Sequence, residues 1–158
     1  MSPLTECTYA SPIGTLVVRE ENGRITELYL DNNAGYAAPC SELLTEACRQ
    51  LDEYFSGKRH AFELPIAPKG TSFQMSVWNR LQSIPYGKTA CYRDIAAGIG
   101  NIKAARAVGQ AVNRNPLMII IPCHRVISKD GSIGGFACGI SVKRALLELE
   151  GSYNTNPR

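Results

Sequence analysis

The stretch "CYRDIAAGIGNIKAARAVGQAVNRNP", residues 91–116, reads as two short helices joined by a glycine-containing turn. The first helix is predicted over 92–98 and the second over 103–112, where "NRNP" stops it. This is the pattern of a helix-turn-helix. In the second helix Ala104, Ala105, Ala107, Gly109 and Ala111 are small, while Arg106 within it and Arg114 just after it are cationic. Its backbone can therefore lie close against another molecule while its charge reaches phosphates. Small residues equally suit tight packing inside a protein, so the surrounding charge has to decide.

The 158 residues are 44% hydrophobic and 20% charged, which fits one mid-sized or two small globular domains and excludes disordered and fibrous classes. The net charge of +3 hides a division of sign. Residues 1–68 carry five Lys/Arg against ten Asp/Glu, whereas residues 69–158 carry twelve against four. Between 69 and 114, Lys69, Arg80, Lys88, Arg93, Lys103, Arg106 and Arg114 face only Asp94. Charge alone is satisfied by a solvated basic surface. With the helix pair inside the most basic segment, contact with DNA becomes the better reading.

Upstream, "LTECTYA", "TLVVRE" and "ITELYL" read as three strands separated by "SPIG" and by an Asn22-Gly23 hairpin signal. Ser41 is placed as the N-cap of a helix that carries Leu43, Leu44, Ala47, Leu51, Tyr54 and Phe55 on an apolar face and closes at Gly57. "ELPIAPKGTS" combines prolines, a glycine and the change in charge sign, so two domains are expected, 1–68 and 69–158. A further helix is predicted over 72–82. Downstream, Leu117–Ile121 is expected to be a strand leading into Cys123, followed by a glycine-rich loop over 131–139 and a last helix from Ser141 to Glu150.

The N-terminal stretch has no signal-peptide pattern and no apolar run long enough to span a bilayer, so the expected compartment is cytosolic, or nuclear in a eukaryote. Cys7, Cys40, Cys48, Cys91, Cys123 and Cys138 are expected as free thiols, mostly small core residues. No zinc-ligand spacing occurs, and no metal is predicted.

A cysteine at the end of a buried strand is inert by default, because burial disfavours the thiolate. To react, Cys123 needs a base within reach, and His124 is adjacent in sequence. Neighbours on an extended chain point to opposite faces, so a bridging water is the plausible link. Such a base normally has an orienting partner, for which Glu150 is the first candidate and Glu148 and Asp130 are weaker ones. Paired carboxylates of the glycosidase type, a Gly-x-Ser-x-Gly elbow and a phosphate-binding glycine loop are absent.

The segment "PYGKTACYRDIAAGIGNIKAARAVGQAVNRNPLMIIIPCHRVISKDGSIGGFACGISVKRALLELEG" resembles the C-terminal domain of the O6-alkylguanine-DNA alkyltransferases, the methylated-DNA–protein-cysteine methyltransferase family. "SPIGTL" and "LDEYFSG" resemble its less uniform first domain. The resemblance implies an α+β fold: a small N-terminal ribonuclease-H-like sheet-and-helix domain, then a mainly helical, winged-helix-like domain with the helix-turn-helix. It implies a DNA repair protein in which Cys123 irreversibly accepts the alkyl group of O6-alkylguanine, and of O4-methylthymine, in double-stranded DNA.

By the same resemblance His124 is the water-linked base, Glu150 orients it, Tyr92 donates a proton to guanine N3, Asn115 holds the active-site turn and Lys143 lies near the pocket. Arg106 takes the place of the flipped nucleotide; Ala104, Ala105, Ala107, Gly109, Arg114, Arg93 and Lys103 complete the DNA surface. Pro122, Val126, Phe136 and Ala137 line the pocket. The expected protein is monomeric, needs no cofactor and stays off membranes.

"GGFACG" departs from the family's tyrosine-containing loop, with Phe136 losing a hydroxyl and Cys138 standing where glycine is usual. Cys91 stands at a helix start in place of Ser or Thr, which weakens a cap. Taken singly, Tyr92, Arg106, Asn115 and Glu150 each have an ordinary structural reading. Their common placement around "PCHR" favours function. The rivals are a non-catalytic sensor of alkylated bases, of the alkyltransferase-like type, and a cysteine hydrolase using Cys123 and His124.

Overall fold

The computed structural model describes residues 4–134 and 136–153, so Gly135 of the glycine-rich loop lies outside them. The chain forms two compact units, Met1–Lys69 and Gly70–Arg158. In the first, β1 (Thr5–Ser11), β2 (Gly14–Glu21) and β3 (Arg24–Leu30) make an antiparallel meander. Asn22 and Gly23 turn the second hairpin with φ of 54° and 76°. Two positive φ values define the turn whose twist matches the flanking strands, and Asn-Gly adopts them at little steric cost.

Cys7, Val18 and Leu28 stand in one row across this sheet, and all are buried. They belong to the core built with α1 (Glu42–Phe55), which contributes Leu44, Ala47, Leu51 and Tyr54 from one stripe. Ser41 Oγ accepts from the Leu44 N–H at 3.0 Å and fixes where that helix starts. Gly57, at φ 80°, follows its last turn.

The second unit is a helix cluster. Thr71 caps α2 (Ser72–Leu81) reciprocally with Gln74, at 3.1 and 2.9 Å. Trp78 of α2 is buried, and its indole N–H donates to the Ala111 carbonyl at 2.9 Å, locking α2 onto α4 (Ala105–Asn113). Truncating an aromatic in such a position costs about 3–5 kcal/mol. Between them α3 (Tyr92–Gly98) packs against both, and Gly100, at φ 82°, turns the chain into a 3-10 segment, Ile102–Ala104, that runs into α4. Cys91 precedes α3. The Asp94 carboxylate accepts the Cys91 N–H at 3.0 Å, so the acidic first turn holds this helix start.

Two short parallel strands, β4 (Ala90–Cys91) and β5 (Val126–Ile127), pair Ala90 with Val126. One immediately precedes Tyr92 and the other immediately follows a 3-10 turn, Cys123–Arg125. That pairing brings the start of α3 to the residues around Cys123. The last helix, α5 (Ile140–Leu149), packs on the same 3-10 turn.

The strand expected over 117–121 does not form. The Asn115 side chain accepts from the Leu117 N–H at 2.9 Å and donates to the Ile121 carbonyl at 2.8 Å, while the Ile121 N–H closes on Leu117 O at 2.9 Å. These bonds fold the apolar run into a buried turn with Ile119 at φ 72°, a rare conformation for a β-branched residue. Cys123 thus opens a 3-10 turn and does not end a strand. Among the described residues no helix is long and apolar enough to cross a membrane.

Candidate active site

The site is built on the 3-10 turn. Cys123 is 5% exposed, between Pro122 and His124, which are buried as well. Burial pushes its thiol up from the ordinary 9.0 to about 11, an opposition to ionisation of roughly 3 kcal/mol. The Asn115 amide and the Lys143 ammonium pull the other way, and the neighbouring Cys138 adds to the rise. At neutral pH the resting group is a thiol.

His124 is wholly buried, and its Nε2 lies 2.7 Å from Glu150 Oε2. Burial lowers its pKa more than the Glu150 carboxylate raises it, so the imidazole is neutral at pH 7. With Glu150 accepting from Nε2–H, Nδ1 is the unprotonated nitrogen. Nδ1 is buried and has no hydrogen-bond partner within the described residues. Cys123 and His124 are neighbours in a 3-10 turn and not on an extended strand, and the imidazole is held from its Nε2 side by Glu150.

Glu150 lies just beyond α5 and is buried, not a surface charge. Arg125 grips it from two donors, Nε to Oε1 at 2.8 Å and Nη2 to Oε2 at 3.0 Å, and sends Nη1 to the Ile84 carbonyl at 2.7 Å. The Tyr86 ring lies 5.8 Å from the guanidinium carbon, and its hydroxyl donates to the Leu149 carbonyl at 3.3 Å. Arg125 and Tyr86 escaped the reading of the sequence. The available signal was a charged residue inside an apolar run, because a buried guanidinium demands a buried acid.

Lys143 of α5 is also buried, donates to the Val126 carbonyl and lies 5.9 Å from the centre of the Phe136 ring. Desolvation lowers its pKa to about 8. Phe136 is half-buried, Val126 buried and Ala137 exposed. Tyr92 is half-buried, with its ring beside Gly109 and its hydroxyl toward Gly134: a Cβ added at either glycine would meet it at 3.8 Å. Burial and the nearby Cys123 raise its pKa, so it stays protonated.

Of the predicted nucleic-acid residues, Gly109 lies beside the Tyr92 ring, and the charged ones are exposed. Arg93, Lys103, Arg106, Ala107 and Arg114 are exposed, whereas Ala104, Ala105 and Gly109 are half-buried. The face of α4 that packs inward is Val108, Ala111 and Val112. Its small residues therefore do not all serve internal packing. A groove of about 640 Å³ runs between α2 and α4, lined by Phe73, Gln74, Ala107, Gln110 and Arg114 among others.

A sheet-and-helix unit followed by a helix-turn-helix unit that holds a buried thiol next to a His–Glu–Arg cluster defines a class of two-unit, thiol-bearing folds. Residues 72–152 match the DNA binding domain of 6-O-methylguanine DNA methyltransferase, and residues 4–68 match the ribonuclease-like domain of the same family. The chain belongs to the 6-O-methylguanine DNA methyltransferase family. It is 47% identical to the methylated-DNA–protein-cysteine methyltransferase of Methanosarcina acetivorans, over 91% of this chain and 96% of that protein. The crystal structure of O6-methylguanine methyltransferase from Mycobacterium tuberculosis superposes with a TM-score of 0.86 at 39% identity, covering 98% of this chain and 97% of that one. The same organism's OGT in complex with DNA gives 0.84 at 42% identity, over 92% and 91%.

Proposed function

We infer that this protein is a DNA repair alkyltransferase that moves the alkyl group of O6-alkylguanine in double-stranded DNA onto Cys123, once per molecule. The observation that carries the reading is the buried pair His124–Glu150 beside a protonated thiol, in a chain of this family. A thiol held near 11 is a poor nucleophile at pH 7 and needs a base at the moment of reaction. Neutral His124 takes the proton through a water at Nδ1, while Glu150 fixes the tautomer and stabilises the imidazolium that forms. The thiolate attacks the alkyl carbon; the S–C bond forms, the C–O6 bond breaks, and Tyr92 protonates N3 of the departing guanine. The thioether is stable, so the protein is consumed.

The target oxygen lies within stacked duplex, which requires the nucleotide to be flipped out. Arg106 fills the gap it leaves, Arg93, Lys103 and Arg114 hold phosphates, and the small residues Ala104, Ala105, Ala107 and Gly109 let α4 approach the groove. Asn115 keeps the turn before Cys123, and Pro122, Val126, Phe136, Ala137 and Lys143 wall the pocket. O4-methylthymine offers the same electrophilic carbon and is a second substrate. The protein acts as a monomer, and no step calls for a cofactor. The test is intact and peptide mass spectrometry after incubation with duplex DNA holding one O6-methylguanine. One methyl on Cys123, absent from Cys123→Ala, supports the reading; tight lesion-selective binding with unchanged mass would make the protein a sensor instead, and continuous turnover of a small ester would make it a hydrolase.

A further inference from the structure

The first unit holds a thiol pair for which alkyl transfer has no use. Cys7 of β1 and Cys48 of α1 are 41 positions apart in sequence, yet their Sγ atoms lie 3.6 Å from each other in a thiol–thiol hydrogen bond. Cys7 is fully buried in the core, whereas Cys48 is half-buried. Cys40 is exposed and close enough to influence Cys7, but it makes no recorded contact with the pair. Among the described residues no group of three His, Cys, Asp or Glu could hold a metal ion, so the pair is a dithiol and not part of a larger ligand set.

We propose that Cys7 and Cys48 are a redox modification site, oxidised by hydrogen peroxide or an organic hydroperoxide to an intramolecular disulfide that ties β1 to α1. Cys48 is the sulfur that solvent reaches. The two sulfurs share one S–H hydrogen bond, which lowers the Cys48 pKa while that bond and burial raise Cys7, so Cys48, the sulfur open to solvent, ionises before Cys7. It attacks a peroxide oxygen: the S–O bond forms, the O–O bond breaks, sulfur is oxidised to sulfenic acid and the peroxide is reduced to water or alcohol. The Cys7 sulfur then attacks Cys48; S–S forms, S–O breaks, and the hydroxide leaves as water with the Cys7 proton. One peroxide thus removes two hydrogens from the two thiols. The sulfurs at 3.6 Å have to close to the roughly 2.0 Å of an S–S bond, a shift of under about 2 Å. Cys123 meets the same oxidant as a buried, protonated thiol and reacts later.

The protein is exposed to graded hydrogen peroxide, remaining thiols are blocked with iodoacetamide, and non-reducing peptide mass spectrometry reads the linkages. The expected product is a peptide joining Cys7 to Cys48, lighter by two hydrogens, reversed by dithiothreitol and still formed in Cys40→Ser. Cross-linking restricts the unfolded chain, so the oxidised protein should melt about 5 °C or more above the reduced one. Methyl transfer to Cys123 should persist at the peroxide dose that completes the link. Sulfinic or sulfonic acid on Cys48 with Cys7 free, a link made through Cys40, or modification of Cys123 at lower peroxide than Cys48 would each overturn the proposal. These outcomes are read on the unmutated protein, so they do not depend on whether Cys48→Ser folds.

Discussion

At Cys123 and His124 two burial effects act in opposite directions on one proton. Desolvation keeps the thiol protonated up to about 11 and keeps the imidazole neutral to below its ordinary 6.5. The proton therefore starts on sulfur, and the imidazole is unprotonated at all pH values above the lowered His124 pKa. The single-turnover transfer rate should stay level as pH falls from 7.5 to 6.5, then drop in more acidic buffer. A decline that begins above pH 7 would exclude neutral His124 as the base. Stability follows the same sign, because the unfolded chain binds the His124 proton more readily: it is retained above 6.5 and is lost as pH falls through the lower folded value. Glu150 joins both roles. Glu150→Gln leaves Arg125 buried without its counter-charge, a loss of about 3–5 kcal/mol, and slows transfer about tenfold or more by releasing His124. Adding Arg125→Met should recover much of the urea midpoint but not the rate, which would separate the carboxylate's part in folding from its part in proton transfer.

At the scale of elements, the turn before the thiol governs how accurately Cys123 is held. Asn115→Ala removes the side-chain bonds to the Leu117 N–H and the Ile121 carbonyl, at a cost of about 1–3 kcal/mol, and withdraws an influence that lowers the Cys123 pKa. The expected result is a lower urea midpoint together with slower iodoacetamide labelling of Cys123 at pH 9; faster labelling would mean that the turn shields the sulfur and does not activate it. This turn is also where pattern reading failed. Five apolar residues, three of them β-branched, have the composition of a strand, and nothing in their periodicity reports that a polar side chain at 115 will cap the run from its own end. The capped and punctuated elements were legible because their signals are local: Ser41 and Gly57 bound α1, Asn22-Gly23 turns the hairpin, and "GIGNIK" separates α3 from α4. Glu150 was reachable as an acid at a helix end. Arg125 was signalled only as a charge inside an apolar run, and which acid it pairs with appears only when α5 returns to the 3-10 turn.

For the molecule as a whole, the excess of positive charge falls in the same unit as the match to the family's DNA binding domain. Residues 69–158 carry twelve Lys/Arg against four Asp/Glu, and the cations on and around α3 and α4 are exposed and unspent on internal ion pairs recorded among the described residues. Each phosphate neutralised releases condensed counterions, so log K falls with log salt by about 0.9 per contact. With Arg93, Lys103 and Arg114 on phosphates, the slope for duplex binding should be roughly −3. Lys103→Ala should flatten it by about 0.9 and weaken lesion-bearing and undamaged DNA alike. Arg106 is expected to behave differently, because a side chain that replaces a flipped nucleotide contributes chiefly to the extruded state. Arg106→Ala should leave the slope on undamaged duplex nearly unchanged while slowing methyl transfer from duplex far more than from a single strand, where no nucleotide has to be displaced. If Arg106→Ala flattens the slope as much as Lys103→Ala does and slows both substrates equally, then Arg106 sits on a phosphate and base extrusion relies on another residue.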